Sequence, residues 1–223
     1  MWKKNEIVST SGKESTFKKN IGNFVPTKLI EMKLPIVAYG DPVLRKKTAE
    51  IDEDYPQIKE LIVNMFDTMY AASGVGLAAP QIGVPIRLFV IDASPFAEDD
   101  DEDQSLKGFK KVFINPIIVE EKGEKWGFSE GCLSIPDINE EVFRYSDVVI
   151  NYLDENFEEQ EIELKGLAAR VVQHEYDHLE GKLFTDKLGP LKKAMLKGKL
   201  DAISKGMVRV GYKMKFPLEK KKR

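Results

Sequence analysis

Apart from its methionines, the chain carries every side chain that could bind a soft metal ion in two short segments. It contains one cysteine, Cys132, and two histidines, His174 and His178. The histidines are spaced i and i+4, which places them on one face of a helix and allows them to chelate one ion together. The thiolate of Cys132 offers a third ligand. Three protein ligands leave one coordination position open, which is typical of a catalytic metal site.

The glutamate beside the first histidine is suited to a different task. In the pattern His-Glu-x-x-His, a carboxylate at the position of Glu175 can take a proton from water and return it to a leaving group without binding the metal. Asp177 is either a hydrogen-bond acceptor for a histidine ring or a surface charge. Two histidines that bind nothing are the alternative for so short a pattern, but the chain has no other histidine, which argues against it.

A glycine-rich segment at 74–83 is a further candidate for the site. It reads Gly-Val-Gly-Leu-Ala-Ala-Pro-Gln-Ile-Gly, and residues this small let another backbone approach closely. The amide of Gln81 could donate a hydrogen bond to a developing oxyanion. A tight turn between a helix and a strand explains the glycines equally well, so this segment alone does not decide its own role.

The elements that must position these residues follow from hydrophobic periodicity. Helical spacing of apolar residues predicts helices over 55–72, 167–180 and 190–204, of which the second carries both histidines. Runs rich in β-branched residues predict strands over 86–91, 111–119, 142–153 and 161–164. Gly181 is placed to end the helix that carries the histidines.

Composition and charge limit the class of protein. With 223 residues, of which 42% are hydrophobic and 32% charged, the chain is expected to fold as one soluble globular domain. A net charge of -3 gives no electrostatic case for a nucleic-acid partner. We expect no membrane span and no secretory signal, because no apolar run is long enough for either. A single cysteine excludes an internal disulfide and fits a reducing compartment.

Together the chemistry-bearing segments resemble the motifs of the peptide deformylases. Residues 74–81 match the pattern Gly-x-Gly-x-Ala-Ala-x-Gln, and 130–134 read Glu-Gly-Cys-Leu-Ser. Residues 174–181 match His-Glu-x-Asp-His-Leu-x-Gly, with Tyr176 and Glu180 at the variable positions. The motifs occur in the order of the family, and the resemblance covers about 34–206.

The resemblance implies both a fold and a reaction. The fold is α+β, with antiparallel strands packed around a central metal-binding helix and with a C-terminal helix. The reaction is hydrolytic removal of the formyl group from the N-terminal formyl-methionine of newly made polypeptides, with release of formate. The cofactor is one divalent ion, Fe(II) first, with Ni(II), Co(II) or Zn(II) tolerated. The softness of one thiolate and two imidazoles agrees with such late first-row metals.

The resemblance also implies roles for individual residues. Glu175 moves the proton, and the Gln81 side chain and the Leu133 backbone N–H stabilise the oxyanion. Cys132, His174 and His178 hold the metal. The substrate is expected to contact a set of residues in or beside the motifs: Val75, Gly76, Phe128, Gly131, Leu167 and Val171. Among these, the backbone near Gly76 is expected to pair with an extended substrate.

The residue types and their spacing also allow two other functions. A zinc metalloprotease of the His-Glu-x-x-His type would need a further ligand downstream, for which only acidic residues such as Glu180 and Glu219 remain. A non-catalytic metal-binding protein would need neither Glu175 nor Gln81. For the deformylase we expect a nascent polypeptide as partner, close to the ribosome in a bacterial cytoplasm.

Composition also divides the chain into three parts. Residues 1–31 are polar and rich in Lys, Ser and Thr, and we expect a flexible extension, with Met32 as an alternative true start. Residues 32–210 are expected to form a single metallohydrolase domain. Within it, the acidic run at 98–103 is expected to be a solvated loop. Residues 211–223 are expected to form a basic tail.

Overall fold

The computed structural model describes residues 32–97 and 106–218. The expectations for the N-terminal extension at 1–31 and for the acidic run at 98–103 fall outside these residues. Within them, no helix combines the length and the apolar character that a membrane crossing requires.

The described residues contain three α-helices close to the predicted positions. Helix α1 spans Ile58–Ala71, α2 spans Gly166–Leu179 and α3 spans Pro190–Ser204. The start of α1 is later than predicted, because Gln57 has a left-handed backbone with φ of 57° and cannot continue a right-handed helix. Helix α3 has the predicted bounds, with Pro190 at a position where a missing backbone N–H costs nothing.

Five strands of the described region form one antiparallel sheet. Their order is β2 (Gly76–Ala78), β3 (Leu88–Asp92), β4 (Lys110–Cys132), β5 (Ile135–Leu153) and β6 (Glu159–Lys165). Each strand pairs with its neighbour in the chain, so consecutive hairpins build the whole sheet. Antiparallel strands joined in this way need only short connections. The α+β class that the resemblance implies is confirmed.

Strands β4 and β5 are much longer than the predicted strands 111–119 and 142–153. They form one long hairpin, in which Gly127 pairs with Phe143 and Cys132 with Ile135. The register shifts at several points, including the stretch between Lys122 and Lys125, where Gly123 has a φ of 77°. In the half of the hairpin nearest its turn, charged residues and glycines interrupt the alternation of apolar and polar residues. The strands of this half are therefore defined by long-range pairing and not by a local sequence pattern.

Helix α2 packs against the sheet through buried apolar residues. Its polar side chains, including both histidines, lie among them. Its Ala169 and Val172 belong to a core cluster with Phe89 and Phe113 of the sheet. A second cluster lies under α1, and a third lies under α3. Burial of α2 on the sheet fixes the direction in which both of its histidines point.

The described part of the predicted tail 211–223 contains a strand. This strand, β7 (Met214–Lys215), pairs in parallel with β1 (Ile36–Val37). The N–H of Ile36 donates to the carbonyl of Lys213 and that of Ala38 to Lys215, both at 2.9 Å. These hydrogen bonds build residues 211–218 into the domain. Two strands of two residues each are too short to give a detectable hydrophobic periodicity in the sequence.

Candidate active site

The structure brings the cysteine and both histidines to one place. Cys132 is the last residue of β4, and His174 and His178 lie on α2. One ligand atom from each residue lies within 4.8 Å of the others, and Cys132 Sγ is 3.3 Å from His178 Nε2. Burial, with the neighbouring charges of His174 and Arg144, holds the pKa of His178 well below its usual value. The His178 ring is therefore neutral, which is the form that binds a metal. Burial would also lower the pKa of His174, but hydrogen bonds with Cys132 and Glu130 outweigh burial and raise that pKa to about 10, so a metal ion would displace a proton from this second ring.

Glu130 holds His174 in an orientation that would allow the ring to bind a metal. Its Oε2 accepts a hydrogen bond from His174 Nδ1 at 3.0 Å, which leaves Nε2 free to face Cys132. The carboxylate is 5% exposed. Burial would raise its pKa, but hydrogen bonds from His174 and Arg144 outweigh burial and hold the pKa well below the usual value. Glu130 is thus a permanent anion beneath the metal ligands.

Two buried arginines complete the surroundings of Glu130. Arg144 donates to both of its oxygens, at 2.7 and 2.9 Å, and Arg170 donates to one, at 2.9 Å. Arg144 also donates to Asp177 at 2.6 Å. Asp177 therefore pairs with a guanidinium and does not accept from a histidine ring. Sequence reasoning gave Glu130 no role, because only the fold brings its partners from β5 and α2 to it.

Glu175 lies buried on the wall of the cavity, 4% exposed. Burial raises the pKa of its carboxyl to about 7, and its Oε2 has no hydrogen-bond partner within the described parts of the chain. A β-carbon added to Gly76 would lie 2.5 Å from Glu175 Oε1. Glycine is thus required at this position in β2, because the carboxylate occupies the space of a side chain. A carboxyl that titrates near neutrality can both take up and release a proton.

Gln81 directs an N–H toward Cys132, one of the candidate metal ligands. It lies in a short 3-10 helix, Ala79–Ile82, directly after β2. Its Oε1 accepts from the N–H of Ala78 at 2.8 Å, which orients the amide. Its Nε2 then lies 3.5 Å from both Cys132 Sγ and Ser134 Oγ. The amide is 1% exposed and therefore acts in a site from which solvent is largely excluded.

A cavity of about 600 Å³ opens beside these groups. Five of the six expected substrate contacts line it: Val75, Gly76, Phe128, Gly131 and Val171. The sixth, Leu167, is not among the lining residues; it packs, partly buried, against the core cluster of α2. Leu133 also lines the cavity, as do residues 209–212, which sequence reasoning did not predict.

The acidic residue Glu180 takes no part in the ligand set. Its carboxylate accepts from Arg87 at 2.6 Å and pairs with Lys47 at 3.4 Å. Glu219, the other candidate for a downstream ligand, lies outside the described residues. The group of ligands found in the described region is Cys132, His174 and His178. Among the described residues, the third member of the group that could hold a metal ion is thus the upstream cysteine and not an acidic residue after His178.

A family model described as polypeptide deformylase matches residues 33–194 of the chain. The chain belongs to the polypeptide deformylase family. It is 61% identical over 196 residues to the peptide deformylase of Christiangramia forsetii, covering 86% of this chain and 100% of the relative. The peptide deformylase of Flavobacterium psychrophilum is 57% identical, with 85% of this chain and 100% of the relative covered.

Solved structures of deformylases share the fold. The crystal structure of a peptide deformylase from Legionella pneumophila is 42% identical and superposes with a TM-score of 0.68, covering 80% of this chain and 99% of that one. This deformylase therefore removes the formyl group from the N-terminal formyl-methionine of newly made polypeptides, as predicted. Family membership and the Cys-His-His geometry together support a single bound metal ion.

Proposed function

We propose that this deformylase holds one divalent ion with Cys132, His174 and His178, and that Glu175 moves the proton of the reaction. The observation that carries the proposal is the convergence of three ligand atoms within 4.8 Å of one another beside a cavity whose wall includes the Glu175 carboxylate. The donor set fits a borderline-soft ion, because it combines one thiolate with two imidazoles. When bound, such an ion supplies Lewis acidity that makes water nucleophilic near neutral pH.

Glu175 takes a proton from the water that attacks the formyl carbon. It then returns this proton to the nitrogen of the methionine as the bond between carbon and nitrogen breaks. Formate and a free amino terminus are the products, and the carboxylate ends in its starting state. A pKa near neutrality suits both halves of this cycle.

Gln81 and the Leu133 backbone stabilise the negative charge that develops on the formyl oxygen. The Gln81 amide is already oriented by Ala78, so it needs no reorganisation during the reaction. Leu133 directly follows the proposed metal ligand Cys132 and lines the same cavity. One such preorganised donor is worth about 10²–10³-fold in turnover in other acyl-transfer sites.

The cavity accepts the methionine side chain of the substrate. Val75, Phe128 and Val171 supply its apolar surface, and Gly131 lines it at the end of β4. The edge strand β2 pairs with β3 on one side only, so the backbone near Gly76 is available to an extended peptide. Leu167 supports α2 from the core instead of contacting the substrate.

The metal and the cellular setting complete the proposal. Fe(II) is the proposed native ion, with Ni(II), Co(II) and Zn(II) as replacements that the same ligands can hold. A free thiolate ligand suits the reducing cytoplasm of a bacterium. Because the substrate is the amino terminus of a nascent chain, we place the enzyme close to the ribosome while it acts.

The test is anaerobic purification followed by metal analysis and a formate-release assay with a formyl-methionyl tripeptide. We expect one equivalent of metal and stoichiometric release of formate. The variant Cys132→Ser should bind the ion more weakly or prefer another ion, since oxygen is a harder donor. Internal cleavage of the peptide without formate would favour a metalloprotease, and metal binding without either product would favour a non-catalytic protein.

A further inference from the structure

The segment 209–212 forms a side of the substrate cavity. Its four residues line the same cavity as Cys132 and Glu175, although they lie beyond residues 33–194, which the family model matches. The strand β7 begins after one further residue, Lys213, and is hydrogen-bonded to β1. The segment is therefore anchored in the fold by backbone hydrogen bonds close to where it meets the cavity.

Tyr212 is the residue of this segment that contacts the turn after Cys132. Its hydroxyl donates to the carbonyl oxygen of Leu133 at 2.8 Å. Its ring packs against the core cluster under α1, so the hydroxyl is held in place. Burial raises the pKa of the Tyr212 phenol to about 12. The hydroxyl thus remains a hydrogen-bond donor throughout the neutral range.

The turn that receives this hydrogen bond does not have the geometry that hairpins favour. Leu133 and Ser134 form the two-residue connection between β4 and β5, where Cys132 pairs with Ile135. Two-residue connections usually place one or both central residues at positive φ, because such turns match the twist of the strands. Neither Leu133 nor Ser134 has a positive φ. Contacts from outside the hairpin must therefore help to hold this turn.

Two hydrogen bonds from other parts of the chain supply those contacts. Besides the Tyr212 bond, the N–H of Tyr39 donates to the carbonyl of Ser134 at 2.8 Å. The carbonyl of Leu133 belongs to the central peptide of the turn, which is the peptide that reverses when a β-turn changes type. A reversal would reorient Ser134, whose Oγ lies 3.5 Å from Gln81 Nε2.

We propose that Tyr212 is a positioning residue for deformylation, whose hydroxyl fixes the central peptide of the Leu133–Ser134 turn and, through Ser134, positions the Gln81 amide that faces the formyl oxygen. The inference rests on the function proposed for the Gln81 amide. The metal ligands stand on β4 and α2. They keep their places when the Tyr212 bond is absent.

The test uses the metal-loaded enzyme and the variant Tyr212→Phe, which keeps the packed ring and removes the hydroxyl. We expect kcat to fall about fivefold to tenfold, the effect of one lost neutral hydrogen bond, with KM within about twofold of the wild-type value. Metal content and the visible spectrum of the Co(II)-loaded form should not change. Tyr70→Phe is the matched control, because it removes a hydroxyl bond of 2.6 Å to Asp92 and should leave kcat unchanged.

A double-variant cycle with Gln81→Ala identifies the route of the effect. If Tyr212 acts through the Gln81 amide, Tyr212→Phe should lower kcat less in the Gln81→Ala background than in the wild type. Wild-type kcat in Tyr212→Phe, a loss confined to KM, or strictly additive losses would overturn the proposal. A variant that unfolds or loses metal would also overturn it, by assigning the hydroxyl to the fold or to the ligand set. A wild-type enzyme that releases no formate would instead overturn the proposed function.

Discussion

Glu130 Oε2 accepts a hydrogen bond from His174 Nδ1 at 3.0 Å, across 44 positions of sequence. The same carboxylate receives Arg144 and Arg170, so one buried anion ties β4, β5 and α2 together beneath the metal ligands. The proposed metal site is therefore supported by a network of buried charges. Removal of a charge from this network is expected to change metal affinity and the free energy of unfolding.

Removal of the charge on Glu130 should weaken metal binding. In Glu130→Gln the ring of His174 loses an anionic acceptor, and metal affinity is expected to fall about 10- to 100-fold. Two buried guanidinium groups also lose their main partner, which should lower the free energy of unfolding by about 3 kcal/mol. Metal titration and chemical denaturation measure the two effects.

Glu180→Gln is the control for this experiment. It breaks a pair between Arg87 and a carboxylate whose side chain is 19% exposed and whose ion-pair partners, Arg87 and Lys47, are not among the proposed ligands. We expect some loss of stability and no loss of metal affinity. Equal loss of affinity in both variants would show that Glu130 acts through general stability and not through His174.

A methyl group at Gly76 should disable Glu175 without touching the metal. The added β-carbon would lie 2.5 Å from Oε1 and 2.8 Å from Cδ of Glu175, so the carboxylate must move. Turnover should fall about 10²-fold, the scale of a lost acid–base group, while metal content stays at one equivalent. The measurement is formate release by Gly76→Ala with parallel metal analysis.

The matched control for Gly76→Ala is Gly198→Ala in α3. A β-carbon at Gly198 meets nothing within 4 Å, and alanine favours a helix by about 1 kcal/mol over glycine. This variant should be fully active and slightly more stable. Wild-type turnover in Gly76→Ala would contradict the placement of Glu175 against β2.

The sequence predicts those helices and strands whose signal lies in neighbouring residues of the chain. Apolar spacing and the proline at its start specify α3, whose bounds agree with the structure. The metal ligands could be proposed because cysteine and histidine are rare in this chain. Glu130 could not, since it is one of 37 acidic residues, and only the pairing of β4 with β5 and the packing of α2 reveal its partners.

The missed parts of the site depend on contacts between distant segments. The half of the β4–β5 hairpin nearest its turn is not predicted from the sequence, because its charged residues and glycines show no strand pattern. Tyr212 lies 79 positions from Leu133, the residue whose carbonyl it contacts. No periodicity connects two such positions. The two-residue strands β1 and β7 that bring them together carry too few residues to give a signal.

Gln81→Ala should affect the transition state more than the bound substrate. The lost Nε2–H faces the metal ligands, where charge develops during attack and not on substrate binding. We expect kcat to fall about 10²-fold, with a smaller change in KM. Steady-state formate release over a range of substrate concentrations separates the two constants. A loss confined to KM would show that Gln81 only helps to hold the substrate.

The Fe(II) form should be sensitive to oxygen. Fe(II) and the thiolate of Cys132 are both oxidisable, and peroxide should speed inactivation as the sulfur moves toward sulfenic and sulfonic acid. The Ni(II) and Zn(II) forms should decay more slowly, and the Zn(II) form should also be less active, because zinc favours tetrahedral coordination. Half-lives in aerated buffer compare the three forms. Equal half-lives would mean that oxidation of the metal does not limit this enzyme.

The most direct test of the account is the effect of Glu175→Ala on metal content and formate release measured together. Glu175 is proposed to move protons and not to bind the ion, so the variant should keep one equivalent of metal and lose at least about 10²-fold in turnover. Glu175→Gln, which keeps the shape of the side chain, should behave in the same way. Turnover near the wild-type value would contradict the proton-transfer role, and loss of the metal would make Glu175 a ligand.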